Sequence, residues 1–298
     1  MKKTLKSLAS LVIVLAFFSV CFYTASSKLD SLDNSPVNSY VKKKDGITVH
    51  FFDVGQGDCE FVEFPNGECM IIDASTDSYS ETIISKVENL GYSKIDYAVA
   101  THPHDDHIGA LDNVVEHFEI GKFYMPDVST SSKCYNDLIT VLNEKNIEVS
   151  TAESGVTILN GGDLLVEILS PADESYSDSN DYSAVVKITY KDNSFMFMGD
   201  AQSTVENQLV DNYGDYIDAD VLKVGHHGSS SSSSEEFLST VTPKFAVISC
   251  GEDNPYNHPN EDAVNRLEKS GAEIYCTDEC SSIAVNCDGS DNFDITFE

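Results

Sequence analysis

Apolar residues recur along this chain in two rhythms. At 47–52, 59–64 and 69–72 they crowd into short runs bounded by turn residues, the pattern of strands. Pro65-Asn66-Gly67 between the second and third runs is a hairpin turn of the Asn-Gly kind. At 80–90 the rhythm changes: Ile83, Ile84, Val87 and Leu90 share one helical face, and Gly91 stops it. A buried strand is expected at 95–100, helices at 109–118 and 135–145, and a strand at 122–125 between them. The second half repeats the style. Two strands are expected within 156–169 around Asn160-Gly161-Gly162, and a hairpin of 184–190 with 195–198 turns at 191–194. Then come a helix at 203–212, a strand at 221–224, a serine loop at 229–234, a strand at 245–249 and a helix at 260–270. Strands at 274–276, 283–286 and 293–297 close the chain. Strand-rich halves with helices between them predict a layered α/β protein, helices outside sheets.

The first 45 residues do not belong to this pattern. Lys2, Lys3 and Lys6 precede an apolar run at 8–23 and small residues at 24–27. That order is a secretory signal over 1–27, cut near 25–27, or alternatively an uncleaved membrane anchor. Its fully apolar part, roughly a dozen residues, is shorter than the ~20 of a spanning helix. Cys21 offers lipid attachment as a further alternative. Residues 28–45, polar and carrying Lys42-Lys43-Lys44, are expected to be a flexible tether. The folded domain is expected at 46–298, and the protein outside the cell, secreted or tethered to the membrane through residues 8–23.

Charge narrows the partners. Lys and Arg number 18 against 50 Asp and Glu, a net −32, and Arg266 is the only arginine. Strong nonspecific binding to nucleic acid is not expected of such a chain. A phosphate-bearing substrate stays open, because bound metal ions supply local positive charge. Of the eight cysteines, Cys276, Cys280 and Cys287 lie close together. They are expected to form one disulfide or to remain buried thiols, with no structural zinc, since no second ligand pair accompanies them.

The chemistry concentrates in Thr101-His102-Pro103-His104-Asp105-Asp106-His107. Four donors suited to zinc and similar ions fall directly after a strand. His102 and His104 project the same way in an extended turn, and the following bend brings Asp106 and His107 to the same space. One pair can serve one metal and the second pair another. Asp200, ending a strand in Met198-Gly199-Asp200, can bridge two ions with its two oxygens. His226-His227-Gly228 after a strand suits a ligand plus a substrate-facing group, and His258, in Asn257-His258-Pro259, is a further loop candidate. His50 and His117 are expected to be structural.

These pieces, in this order, resemble the metallo-β-lactamase superfamily, and within it the soluble hydrolase domain of the competence protein ComEC. The matching stretches are FFDVGQGDC at 51–59, IIDAS at 71–75, THPHDDHIGA at 101–110, MGDA at 198–201, VLKVGHHGS at 221–229 and NHPN at 257–260. Teichoic-acid phosphorylcholine esterases are similar in the same motifs. The resemblance implies an αββα sandwich: two mixed sheets with helices on the outer faces. It also implies two divalent ions, zinc or alternatively manganese. His102 and His104 would hold the first ion, Asp106 and His107 the second, with Asp200 bridging and His226 completing the second site. His227 and His258 would face the substrate and join Asp106 as catalytic residues, His226 and His227 being open to exchange. Asp58 and Asp73 would orient ligands, and Gln56 would touch substrate or support its loop. One departure stands out. The superfamily's further ligand histidine is missing from 179–183, where Asn180 or Asp181 could substitute through oxygen. The implied reaction is hydrolysis by a metal-bound hydroxide of a phosphodiester, in nucleic acid or at the cell surface. A lactonase or β-lactamase-type hydrolase and a noncatalytic metal-binding surface protein are the alternatives.

Overall fold

The computed structural model describes residues 46–172 and 175–298. The expectations for 1–27 and 28–45 lie outside the described residues. The chain lays down six strands in succession: β1 (Ile47–Phe51), β2 (Glu60–Glu63), β3 (Cys69–Ile72), β4 (Lys94–Val99), β5 (Glu119–Met125) and β6 (Val149–Thr151). It then crosses to a second sheet of β7 (Val156–Gly161), β8 (Leu164–Ser170), β9 (Val185–Tyr190), β10 (Asn193–Phe197), β11 (Val221–Lys223), β12 (Phe245–Ile248) and β13 (Glu273–Cys276). Strands β14 (Ile283–Cys287) and β15 (Phe293–Phe297) return to the first sheet, where β14 pairs with β1. Both sheets are mixed. From β3 to β6 and from β10 to β13 the pairing is parallel, and elsewhere it is antiparallel.

Strand alternation makes the layers. Val49 and Phe51 of β1, Tyr97 and Val99 of β4, Val186 and Ile188 of β9 and Phe195 and Phe197 of β10 share one buried cluster between the sheets. Phe51 stacks on Phe197 across it, ring centres 6.1 Å apart, and burying a side chain of that size contributes about 1.5–3 kcal/mol. The opposite residues, such as Ile71, Ile95 and Ala98, pack under α1 (Ser80–Asn89), α2 (Asp105–Ile108), α3 (Leu111–His117) and α4 (Lys133–Glu144). On the other sheet, Met196, Leu222 and Ala246 pack under α5 (Ser203–Tyr213), α6 (Glu235–Val241) and α7 (Glu261–Ser270). The result is a four-layer αββα sandwich.

Several details differ from the sequence pattern. The helix expected at 109–118 is α3, at 111–117, and a separate short helix, α2, that the sequence pattern did not show precedes it at 105–108. The hairpin turns on Lys191 and Asp192 alone, since Asn193 already pairs with Tyr190. Strand β6 is three residues long and exposed throughout, so it has no apolar rhythm to read. Helix α6 follows the serine run, with the Ser234 side chain accepting from the Phe237 N–H at its start. All seven described cysteines are free thiols, so 276, 280 and 287 form no bridge. Burial pushes the Cys287 thiol up to about 11.

Candidate metal centre

Parallel strands deliver their carboxyl ends, and the loops after them, to one edge of a sheet. Asp73 follows β3, the histidine-rich segment follows β4, Asp200 follows β10, His226 and His227 follow β11, and Ser249 follows β12. Backbone bonds lace three of the loops together: Asp58 N–H to Asp106 O (3.0 Å), Ser75 N–H to Asp58 O (2.8 Å) and Ala74 N–H to His107 O (2.7 Å). Gly57 permits this approach. Its φ is +149°, and a side chain there would meet the Asp106 carbonyl and Ser75 Oγ at 2.5 Å.

Four overlapping triads result, among them His102–His107–Asp200 and Asp106–His107–His227, each with ligand atoms within 4.8 Å of one another. Asp200 is the hinge between them. Its Oδ1 lies 3.1 Å from His107 Nε2 and 3.4 Å from His227 Nε2, while Oδ2 lies 3.6 Å from His102 Nε2 and 3.7 Å from His226 Nε2. Asp106 Oδ2 is 3.5 Å from His227 Nε2. The imidazoles are aimed from behind. His107 Nδ1–H donates to Asp73 Oδ2 at 2.7 Å, and Thr101 holds both Asp73 oxygens through its N–H (2.8 Å) and hydroxyl (2.6 Å). His227 Nδ1–H donates to the Ser249 carbonyl at 2.9 Å and lies 3.2 Å from Asp58 Oδ1. His102 and His104 are backed by hydroxyls instead. Thr101 Oγ1 is 3.1 Å from His102 Nδ1, and Ser179 Oγ is 2.7 Å from His104 Nε2.

Beneath the cluster, Lys223 is wholly buried on the face of β11 that looks into the space between the sheets. Its ammonium donates to Asp58 Oδ2 at 2.7 Å. Burial pushes the Asp58 carboxyl up, but the charges of Lys223, His227 and His107 together overcome this and leave it at about 2. Burial likewise opposes charge on His227, and Asp200 and Asp58 reverse it, raising this ring to about 10. His107 is raised in the same way by Asp200 and Asp73, whereas burial and the His107 charge keep His102 well below the ordinary range.

The donor set fits a divalent cation. His107 Nε2 faces His227 Nε2 at 3.3 Å, and His102 Nε2 faces His104 Nδ1 at 3.0 Å. Four ring nitrogens therefore converge with a carboxylate whose Oδ1 is buried and makes no well-aligned hydrogen bond. A buried polar atom without a partner is costly unless an ion or solvent fills the place. Imidazole with carboxylate oxygen suits zinc, iron or manganese alike.

A family model described as the metallo-beta-lactamase superfamily matches residues 52–252, more than half of the chain. The chain belongs to the metallo-β-lactamase superfamily. Among curated relatives, ComE operon protein 3 of Bacillus subtilis (strain 168) is 29% identical over 252 residues, 79% of this chain and 32% of the relative. Competence protein ComA of Neisseria gonorrhoeae is 29% identical over 231 residues, 77% of this chain and 31% of the relative. The chain thus spans about a third of the length of these relatives. Of solved structures, the metallo-beta-lactamase fold protein YhfI from Bacillus subtilis superposes with a TM-score of 0.52 at 11% identity, covering 81% of this chain and all of that one. CmlA, a diiron β-hydroxylase from Streptomyces venezuelae, gives 0.55 at 13%, covering 82% of this chain and 55% of its own. At such identities the likeness speaks for the fold alone.

In this metallo-β-lactamase domain the expected residues come together, with one exchange. His227, not His226, points into the cluster beside Asp106 and Asp200; it is 1% exposed. The two residues are consecutive and both left-handed, φ +50° and +53°, so strand alternation does not apply to them. His226 instead lines the opening with His258, their ring centres 5.4 Å apart. Burial lowers both rings, and the His227 and His226 charges help hold His258 at about 4. At the position of the missing histidine, Asn180 faces the opening with Oδ1 buried and unpartnered. Asp181 turns away and accepts the Gln202 N–H at 3.1 Å. Gln56 supports its loop through Oε1, which accepts from Gly251 N–H at 3.3 Å, and keeps Nε2 buried and unpartnered at the opening. His50 is structural as expected, its Nε2 2.8 Å from Glu63, and His117 meets Glu88 at the surface. The sequence reading missed Lys223, Ser179 and the Ser249 carbonyl. The one available signal was a lysine inside an apolar strand that ends at the paired histidines.

The opening above the cluster is a pocket of about 340 Å³. Behind His226 the serine run is pinned by Arg266, which donates to the carbonyls of Ser230, Ser232 and Ser233 at 3.1, 2.8 and 2.7 Å. Ser231 Oγ, in that run, is 3.3 Å from His226 Nδ1.

Proposed function

We propose that the protein is an exported phosphodiesterase, acting outside the membrane on nucleic acid or a cell-surface phosphodiester. The observation that carries this reading is Asp200. At the floor of an open, polar pocket its Oδ1 is turned to His107 and His227 and its Oδ2 to His102, with His226 of the opening 3.7 Å from the same Oδ2. Two curated relatives carry the names competence protein ComA and recombination protein 2, and recombination is a nucleic-acid process, which supports the choice of substrate.

His102, His104, Asp200 and Asn180 would hold one ion, zinc or manganese, and Asp106, His107, His227 and Asp200 the other. Ions bound there supply Lewis-acid charge to the attacked phosphoryl group and acidify bound water. The chain's own residues do the rest. Asp73 and the Ser249 carbonyl fix the tautomers of His107 and His227, so that Nε2 of each faces the pocket. His226 and His258, uncharged at neutral pH, donate hydrogen bonds to a phosphoryl or leaving-group oxygen. Gln56 Nε2 offers a further donor at the same opening.

The test is turnover of bis(p-nitrophenyl) phosphate by the purified protein loaded with zinc or manganese. Asp106→Ala and His107→Ala are each expected to lower kcat/KM by more than the ~10–100-fold cost of losing a group that merely supports a ligand. Metal bound without any turnover would overturn the reading and leave lactone hydrolysis or a noncatalytic metal-binding role.

A further inference from the structure

Three rings climb from the buried cluster to the surface. His227 lies at the floor, His258 above it with ring centres 6.2 Å apart and planes 29° apart, and Tyr256 above that at 5.7 Å and 28°. Such offset, nearly parallel rings fall within the separations at which aromatic groups attract. Tyr256, at the rim of the pocket, is 62% exposed. Tyr216 and Phe297, other large exposed hydrophobics, are engaged: Tyr216 donates to Glu167 and lies under Lys187, and Phe297 packs on Tyr275. Tyr256 has a ring contact on its inner side only.

The loop that presents it is braced by hydrogen bonds. The Asn254 side chain accepts from the N–H groups of Tyr256 (3.2 Å) and His258 (3.0 Å), and donates to the carbonyls of Gly251 (2.9 Å) and His258. Beyond it, Asn260 N–H donates to Gly228 O at 2.8 Å, tying the loop to the paired histidines. A large apolar ring held in water on a loop already ordered is the economy of a binding platform: little freedom is lost when a ligand lands.

We propose that Tyr256 is the stacking platform for a nucleobase attached to the scissile phosphodiester, which makes short nucleotide esters the preferred substrates. This inference rests on the phosphodiesterase reading. The plane of the platform continues the ring series, so a flat heterocycle extends it. A quaternary ammonium group is favoured by several ring faces turned to one centre, and the lining of this pocket has a single tyrosine. The net charge of −32 opposes a long polyanion, so one base next to the cleaved bond is the natural reach of the site.

The experiment compares kcat/KM of the metal-loaded protein for the p-nitrophenyl ester of thymidine 5′-monophosphate and for ethyl p-nitrophenyl phosphate. These share the scissile bond and differ in the second alcohol, thymidine against ethanol, so that the Tyr256 variants separate the base from the sugar. The wild type is expected to prefer the thymidine ester. Tyr256→Ala should collapse that ratio by roughly tenfold, the scale of a lost stacking contact, and Tyr256→Phe should keep it. An unchanged ratio in Tyr256→Ala overturns the proposal. So does a Tyr256-dependent preference for p-nitrophenyl phosphorylcholine over the thymidine ester. If no ester is turned over, the phosphodiesterase reading fails separately, and the platform is judged by calorimetric binding of thymidine 5′-monophosphate. Weakening of about tenfold in Tyr256→Ala but not in Tyr256→Phe then sustains it, and equal binding overturns it.

Discussion

The two halves of the metal centre are built from different supports. Behind His107 and His227 stand carboxylates, Asp73 at 2.7 Å and Asp58 at 3.2 Å, with the Lys223 ammonium buried beneath. Behind His102 and His104 stand hydroxyls, those of Thr101, Ser183 and Ser179. A carboxylate makes the imidazole in front of it a better donor to a metal, and a neutral hydroxyl does so far less. The half that lacks the superfamily's histidine is also the half with neutral backing. The second position should therefore fill first and hold its ion more tightly.

The hinge residue gives the sharpest way to break this difference. Asp200→Ala should abolish the distinction between the halves: turnover should drop more than about a hundredfold, and calorimetry should show one weak binding phase in place of two. Two undiminished phases would refute the bridging role. Next in size is the buried pair. Lys223→Met removes the cation nearest the buried Asp58 and should destabilise the metal-free protein by about 3–5 kcal/mol in urea unfolding. The double variant Lys223→Met, Asp58→Asn should recover part of that, whereas strict additivity would mean that the pair does not act as a unit. Metal affinity separates the halves directly. Asp73→Asn should weaken the tighter phase about 10–100-fold, while Ser179→Ala should weaken the looser one by less than about tenfold, the scale of one neutral hydrogen bond. Equal effects would erase the asymmetry.

The smallest effect is on pH. His227 is raised in the folded metal-free protein to about 10. Its proton therefore stabilises the metal-free fold fully below the ordinary imidazole value of about 6.5, and less as pH rises toward 10. A metal ion must displace that proton. The rise in Tm on adding zinc should accordingly grow between pH 6.5 and 9. A constant or shrinking increment would contradict the protonated ring.

The sequence made the centre legible where it is contiguous. His102, His104, Asp106 and His107 fall in one loop after one strand, so spacing alone brought them together. Asp73 and Asp200 were readable as the last residues of apolar strands. What escaped depended on contacts between the two sheets. Lys223 looked like a polar interruption in β11 until Asp58, 165 residues earlier, appeared opposite it. The exchange of His226 and His227 turned on left-handed backbone angles that an Xaa-Gly-His-His-Gly string does not announce. Helix α6 was masked for a simpler reason: the serine run before it reads as loop, and its apolar residues, Phe237, Leu238 and Val241, are too few to set a period.

The Arg266 clamp on the serine run bears on the charge that an incoming substrate meets. The chain's lone guanidinium is occupied with three of its own carbonyls, and Lys223 is sealed below the floor. With acidic residues outnumbering basic ones 50 to 18, an incoming phosphate meets a repulsive field until ions occupy the centre. On the proposed reading, loading with metal would then act on encounter as well as on reaction: ions held there would offset the negative charge of the mouth that a phosphate ester enters.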